Sequence, residues 1–208
     1  MKSEEASPVP LSDMKYLGDQ FPVQVLSTNG PNDIWIRPES LRSDYLTLSR
    51  VLSGYYESLG QKRPLGLSEL SQGMLVGVLR FGVHRAVIKE LPDDPGDAID
   101  VWYIDDACSG QVMWHELIQL DDVFKKIPRM AIHCGLVGVA VIDNLWSDAC
   151  SLLQDFTFGM SGVLHVENAV EENSSFRGNI SVNGEDLGDL LLRRGYATER
   201  KYYLRQGF

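Results

Sequence analysis

A short β-hairpin near the start of the chain, cut off from the other strands by a long helix, is the feature that most constrains the fold. Residues 21–28 carry a strand-like pattern around Val23 and Val25, the turn residues NGPN follow at 29–32, and IWI returns at 34–36. A lone two-stranded hairpin is marginal in water, so its strands must pair with others farther along the chain. The sequence therefore predicts a β domain built from two separate chain segments.

The helix after the hairpin is predicted from one apolar stripe. Its members recur at spacings of three and four residues: Leu41, Tyr45, Leu48, Leu52, Tyr55 and Leu59. That period is typical of a helix, which we expect to begin near Ser40 and to end at Gly60. At 1.5 Å per residue it spans about 28 Å, enough to link two compact units.

Two groups of short strands follow the helix. The first group is predicted at residues 74–79, 83–90, 99–105 and 111–114. Four or five such strands in close succession favour a small barrel. The second group is predicted at residues 130–139, 160–168 and 176–182. Between its strands we expect a helix near 146–156 with Ser147 as its N-cap, and a last helix ends at Gly195.

The charge of the chain is concentrated in one stretch. The 208 residues carry 19 Lys and Arg against 29 Asp and Glu, a net charge of −10. Residues 90–124 contain ten acidic residues and no Lys or Arg. Such a field attracts cations and repels phosphate backbones. The alternative is a solvated acidic face that only keeps the protein soluble.

Several classes of protein are disfavoured by what the sequence lacks. No apolar run approaches the roughly 20 residues of a membrane helix, and the first 15 residues have no apolar core of a signal peptide. Cys108, Cys134 and Cys150 form no CxxC pair, so neither a disulfide framework nor a cysteine zinc site is expected. The four histidines show no metal-ligand spacing, and no nucleophile or phosphate-loop motif is present. We therefore predict no catalytic residues, no metal and no cofactor.

Six short motifs, in the same order as in the family, resemble those of the extended Tudor domain. They are DIWIRP at 33–38, VHRA at 83–86, YIDD at 103–106, FKKIPRMAIHCGLVGV at 124–139, WS at 146–147 and LLRRGYA at 191–197. The resemblance implies a mainly β fold with helices. A five-stranded Tudor barrel is inserted, through a linker helix, into a discontinuous domain like staphylococcal nuclease, of the OB type.

The resemblance also implies a division of the chain. Residues 1–20 are a flexible lead-in, 21–38 and 126–208 form the nuclease-like OB domain, 39–63 are the linker helix and loop, and 64–125 form the Tudor barrel. The family binds methylated arginine in PIWI-type proteins of the small-RNA (piRNA) transposon-silencing pathway, through an aromatic cage and an asparagine. It thus implies the arginine-rich N-terminal tail of a PIWI-type protein as partner, and a place in the cytoplasm, in perinuclear germline granules.

The cage is degenerate when the family pattern is carried over residue by residue. Tyr103 is retained, His84 and Asp106 stand where the pattern has tyrosine, and Cys108 stands where it has asparagine. The first cage position falls near Val78, and Phe81 is the candidate substitute if the hairpin is shorter. The predicted peptide-binding residues are therefore Phe81, His84, Tyr103, Asp106 and Cys108. Because aromatic faces hold methylated guanidinium, this loss predicts weak or no dependence on methylation.

Each of these residues also has a purely structural interpretation. Tyr103 can pack in the barrel, and Cys108 can be a small, unreactive loop residue. Trp102 must face the opposite side of its strand from Tyr103, and Arg85 and Asp105 are better explained as a pair within the barrel than as ligand contacts.

Two other functions stay open. One is a Tudor fold with a lost pocket that serves assembly or self-association, and the other is an OB-type RNA-binding or nuclease-like domain. Direct binding of nucleic acid and of membranes is disfavoured.

Overall fold

The computed structural model describes residues 19–58, 64–94, 96–170 and 175–200, which fall into two compact units. The first unit is Ser40–Ala131, and the second combines the residues up to Glu39 with those from Ile132 onward. The strands, in chain order, are β1 (Gln20–Gly30), β2 (Asp33–Pro38), β3 (Leu75–Leu79), β4 (Val83–Glu90), β5 (Ile99–Tyr103), β6 (Cys108–Val112), β7 (Leu117–Gln119), β8 (Ile132–Leu136), β9 (Val139–Val141), β10 (Ser161–Val170), β11 (Ser175–Val182), β12 (Glu185–Asp186) and β13 (Ala197–Glu199). The α-helices are α1 (Arg42–Ser58), α2 (Asp122–Lys125), α3 (Trp146–Thr157) and α4 (Leu187–Arg193).

The first unit is built on a five-stranded antiparallel sheet in the order β6-β5-β4-β3-β7. Every strand contributes to one buried apolar core, which includes Val78, Ile88, Val101, Val112 and Leu117. Because side chains alternate across a strand, the residues between these face the other side of the sheet. This enclosed core, to which all five strands contribute side chains, is the interior of the predicted barrel.

Helix α1 packs on the outer side of this barrel. Its buried residues Leu48, Leu52 and Tyr56 join a second core with Leu75, Ile118 and other residues of the sheet. Two tyrosine hydroxyls fix the helix further. Tyr55 donates to the Asp121 carboxylate at 2.9 Å, and Tyr56 donates to the backbone carbonyl of Gln119 at 3.1 Å. The predicted stripe is thus confirmed for Leu48 and Leu52, whereas Tyr56 replaces Tyr55 as its buried member. The predicted helix end, at Leu59 and Gly60, lies outside the described residues.

A buried arginine joins the barrel to the segment that follows it. Arg85, 1% exposed, makes a bidentate ion pair with Asp105, with N···O distances of 2.8 and 2.6 Å. Its remaining N–H groups donate to the backbone carbonyls of Phe124, Ile127 and Pro128. The pairing of Arg85 with Asp105 that the sequence favoured is confirmed. Residues 126–131, which the sequence analysis placed in the OB domain, belong here to the barrel unit.

The second unit is a closed barrel of the OB type. Its strand order is β10-β1-β2-β8-β11-β12, and β10 also pairs with β11, which closes the ring. All pairings in it are antiparallel except that of β8 with β11. The hairpin β1–β2 pairs with β10 on one side and with β8 on the other. The predicted stitching of the N-terminal hairpin to C-terminal strands, and with it the predicted fold class, is confirmed.

Three local predictions were wrong. The single strand expected at 130–139 is divided into β8 and β9, because Gly138 turns the chain with φ of +72°. The strand expected at 111–114 begins earlier, at Cys108, and ends at Val112. Ser147 is not an N-cap, since α3 continues directly from a 3-10 turn, and Leu145 stands at the cap position without a side-chain hydrogen bond. The final helix and the Gly195 stop, with φ of +72°, are as predicted.

Among the described residues, none of the helices combines the length and the apolar character needed to cross a membrane.

We predict that residues 126–208, expressed alone, do not fold. The fragment lacks β1 and β2, which occupy adjacent positions in the closed sheet, so β8 and β10 would each lose a hydrogen-bonded neighbour. Circular dichroism and amide hydrogen exchange of the fragment, compared with the full chain, test this. A cooperative unfolding transition in the fragment would contradict the discontinuous-domain interpretation.

We also predict that Arg85→Met lowers the free energy of unfolding by about 3–5 kcal/mol, the usual effect of leaving one member of a buried ion pair without its partner. Denaturant unfolding measures it. Arg50→Met, on the exposed side of α1, removes the same charge and should change stability by less than about 0.5 kcal/mol. Equal stability of the Arg85 and Arg50 variants would show that the Arg85 contacts do not hold the unit together.

Candidate functional site at the barrel mouth

Six polar or aromatic side chains gather at one end of the first unit's barrel, which we call the barrel mouth. They are Arg80, His84, Tyr103, Asp106, Cys108 and Glu116. The strand alternation explains why. Tyr103 stands two residues after the inward-facing Val101 on β5. Arg80 stands two residues after the inward-facing Val78, just past the end of β3. The mouth is thus the point where the apolar interior of the barrel gives way to charge.

Tyr103 is the aromatic centre of the mouth. Its ring packs against the barrel core and meets the His84 ring edge-on, with centroids 5.9 Å apart at 83°. Gly110 on the neighbouring strand makes room for it, because an added Cβ there would lie 2.6 Å from the Tyr103 ring. Burial raises the pKa of the Tyr103 phenol. The ring is therefore neutral at physiological pH and held in a fixed position.

Asp106 is held from two sides. Its carboxylate accepts a 2.6 Å hydrogen bond from the Tyr45 hydroxyl of α1, and its other oxygen lies 3.6 Å from Nδ1 of His84. The Asp106 carboxylate raises the pKa of His84 above its usual 6.5, whereas burial lowers it. A hydrogen bond to the Arg80 backbone also raises the His84 pKa. His84 therefore connects the β3–β4 turn to the Asp106 turn, and Asp106 favours its protonated form.

Arg80 and Glu116 form a second ion pair at the mouth. Nε and Nη2 of Arg80 lie 2.8 and 3.1 Å from the two oxygens of Glu116. Glu116 also accepts a hydrogen bond from the Met113 backbone at 2.7 Å. The hydrogen bond from the guanidinium lowers the pKa of Glu116. A cation of the protein itself is therefore already paired with a carboxylate at the mouth.

Cys108 is placed at the edge of this group. It is the register partner of Tyr103 on β6. Burial, with a smaller effect of Asp106, raises the pKa of its thiol above 9.0. Because the thiolate is the reactive form of cysteine, the side chain is a neutral, unreactive member of the wall at pH 7. The sequence interpretation of Cys108 as a loop residue was wrong, because it is the first residue of β6.

The structure brings together four of the five predicted site residues and leaves the fifth apart. His84, Tyr103, Asp106 and Cys108 are mutual neighbours at the mouth. Phe81 is fully exposed at the tip of the β3–β4 turn, with φ of +49°. It lines the wall of a shallow groove of about 180 Å³ that also includes Tyr56 and Leu79. Whether Phe81 contacts a ligand stays a prediction.

The sequence analysis missed three residues of the site. The first cage position was placed near Val78, which is completely buried in the barrel core. Counting two residues further along the strand leads to Arg80, so the alternation could have identified it. Glu116 had no comparable signal, because it lies in a 3-10 turn, and neither had Tyr45, which is 61 residues from Asp106 in sequence.

Metal binding has no visible basis in the described ranges. Within residues 19–58, 64–94, 96–170 and 175–200, no group of three or more His, Cys, Asp or Glu side chains is arranged to hold an ion.

Solved structures of extended Tudor domains share this fold. The human TDRD1 extended Tudor domain, solved in complex with a symmetrically dimethylated peptide, superposes with a TM-score of 0.77 at 19% identity over 96% of this chain and 98% of that one. The extended Tudor domain of Drosophila Tudor-SN gives 0.74 at 18% identity over 89% and 87%. That of Drosophila Papi, in complex with a dimethylarginine peptide from the Piwi N-terminus, gives 0.71 at 17% over 87% and 99%.

Sequence comparison leads to the same family. Human Tudor domain-containing protein 6 is 22% identical over 186 residues, which are 88% of this chain, and its mouse counterpart is 23% identical over 171 residues. The chain spans only 9% and 8% of the length of these two relatives. The sequence profile of the Tudor domain matches residues 15–138, more than half of the chain. The chain belongs to the Tudor domain family.

Proposed function

We propose that this chain is a non-catalytic peptide-binding module that takes arginine-rich N-terminal tails of PIWI-type proteins, with little dependence on arginine methylation. The observation that carries the proposal is that His84 touches both the Tyr103 ring, edge-on at 5.9 Å, and the Asp106 carboxylate, at 3.6 Å, so that a ring and a carboxylate lie on either side of it at the barrel mouth. A guanidinium is a flat, weakly hydrated cation that stacks on aromatic faces and pairs with carboxylates. The related domains of TDRD1 and Papi were solved with dimethylated peptides, which supports a peptide as the ligand class.

The expected tolerance of unmethylated arginine follows from which groups line the mouth. A cage of several rings gains from methyl groups, because they enlarge the apolar surface of the cation. Here Tyr103 and the poorer ring of His84 stand beside the carboxylates of Asp106 and Glu116. Carboxylates bind guanidinium through its N–H donors, and methylation keeps the charge but removes donors. The balance therefore shifts toward the unmodified side chain.

The cellular setting is proposed from the same family relation. We place the module in the piRNA pathway, in cytoplasmic perinuclear germline granules, with the PIWI-type tail as its direct partner. The acidic stretch at residues 90–124 supports a basic partner, since it adds a general attraction that nucleic acid would not share. Direct binding of nucleic acid is not part of the proposal.

A second candidate function is favoured by one specific observation. The Arg80–Glu116 pair already places a guanidinium of the protein itself at the barrel mouth. If this cation permanently fills the mouth, the module binds no arginine peptide and acts in assembly or self-association through its surface.

Matched Arg-Gly peptides, one unmethylated and one symmetrically dimethylated, separate these candidates in a calorimetric titration. We expect both peptides to bind with dissociation constants within about threefold of each other, and more weakly as salt rises. Tyr103→Ala and Asp106→Asn should each weaken binding about tenfold, in line with the loss of a ring or of a charged hydrogen-bond acceptor.

The control for these variants is Phe158→Ala, which removes an exposed ring in the second unit and should leave the affinity unchanged. A dimethylated peptide that binds tenfold tighter would show a working cage and contradict the proposed tolerance. Absence of binding by either peptide would favour the assembly function.

The affinity for the unmethylated peptide should also depend on pH through His84. Because its pKa is raised above 6.5 by Asp106, lowering the pH makes His84 cationic, and it then repels the peptide guanidinium. We expect binding at least about threefold weaker at pH 6 than at pH 8, with a midpoint above 6.5. An acetylated, histidine-free peptide isolates the effect.

The two matched variants act on different parts of this pH dependence. His84→Gln should flatten the profile, and Asp106→Asn should move the midpoint to lower pH. An unchanged profile in His84→Gln would assign the pH dependence to another group.

A further inference from the structure

We infer that Arg80 is the specificity-determining residue of the barrel mouth: an internal guanidinium that competes with the peptide arginine for Glu116. The inference rests on the proposed function, since it concerns how the same mouth admits a cationic side chain. Glu116 is the carboxylate that receives the peptide arginine, and Arg80 is the group that must leave it.

The first step is the position of Arg80. Its guanidinium forms the same bidentate, two-oxygen contact with Glu116 that a bound arginine ligand would form with a carboxylate. Arg80 therefore already occupies the carboxylate that would recognise an arginine at this site.

The second step is the difference in mobility between the two partners. The Glu116 side chain is 19% exposed and is fixed by the hydrogen bond from the Met113 backbone. The Arg80 side chain is 45% exposed and follows a strand end at the β3–β4 turn. Long exposed arginine side chains change rotamer readily, so Arg80 can leave while Glu116 stays in place. The cation of this pair, Arg80, can therefore be exchanged while its carboxylate, Glu116, stays in place.

The third step is the charge balance of that exchange. With Arg80 in place, an incoming guanidinium meets the like charge of Arg80, which repels it. When it replaces Arg80, one bidentate pair is broken and one equivalent pair is formed, so Glu116 contributes little net affinity in the wild-type protein. Removing the Arg80 head group leaves Glu116 without this competitor, and the full strength of the pair becomes available to the peptide.

The test compares variants of the full chain in titrations with the unmethylated Arg-Gly peptide. Arg80→Met keeps the apolar stem and removes the charge, and we expect it to bind at least tenfold tighter than the wild type. The double variant with Glu116→Gln should lose that gain. Arg80→Lys, which keeps the charge without the bidentate fork, should give an intermediate affinity.

Arg50→Met is the matched control, because it makes the same change in net charge on the exposed face of α1 and should alter affinity less than twofold. A direct measurement on the wild type does not depend on the variants. The Arg80 Nε–H resonance should shift when the peptide is added, as the bond to Glu116 is lost.

The outcomes distinguish this inference from the proposed function. Tighter binding by Arg80→Met with an unaffected Arg50 control supports the competition, and binding by Arg80→Met when the wild type does not bind supports it most strongly. Unchanged or weaker binding by Arg80→Met, while Tyr103→Ala still weakens binding about tenfold, would overturn the inference and leave the proposed function standing. If neither the wild type nor Arg80→Met binds either peptide, both are overturned.

Discussion

The first unit depends on the buried guanidinium of Arg85. Placing a charge at 1% exposure is very unfavourable unless all its donors are satisfied, and Arg85 meets that condition with one carboxylate and three backbone carbonyls. Asp105 is bound in return, and it also accepts a hydrogen bond from the Met130 backbone. A strand, a turn and the segment after α2 are thereby fixed to a single side chain. Asp106 and Cys108 follow directly in that turn, so the position of half the mouth is set from the inside of the unit.

The mouth then uses charge where a ring cage would use aromatic surface. Its two carboxylates, Asp106 and Glu116, are each held by a protein donor, Tyr45 and Arg80 respectively. If the proposed function holds, we expect such fixed carboxylates beside a half-buried ring to select mainly by charge, with binding that depends on pH and salt more than on the size of the cation.

The sequence predicted the parts of this molecule that are periodic or locally determined. The alternation of the barrel strands, the buried Leu48 and Leu52 of α1 and the end of the last helix at Gly195, with φ of +72°, are as expected from local rules. Features that depend on a single backbone angle or on a distant partner were not predicted. The break at Gly138 and the three-residue strand β7 leave too little pattern to detect, and the bond from Tyr45 to Asp106 needs the helix already docked. Arg80 was missed because the prediction stopped at Val78, which is buried, and did not follow the alternation two residues further, just past the end of β3.

The register of the second unit bears on the order in which the protein folds during synthesis. Ile36 and Ile132, at the two points where the chain leaves and re-enters that unit, are direct partners across β2 and β8. Closing an unstructured loop of roughly ninety residues carries an entropy cost that a folded insertion with neighbouring ends largely avoids. The ribosome, at about 5–20 residues per second, also exposes the hairpin several seconds before β8 emerges. We therefore expect the hairpin to stay unpaired until the inserted barrel has folded. Folding of the inserted barrel then places β8 close to β2, its partner in the hairpin.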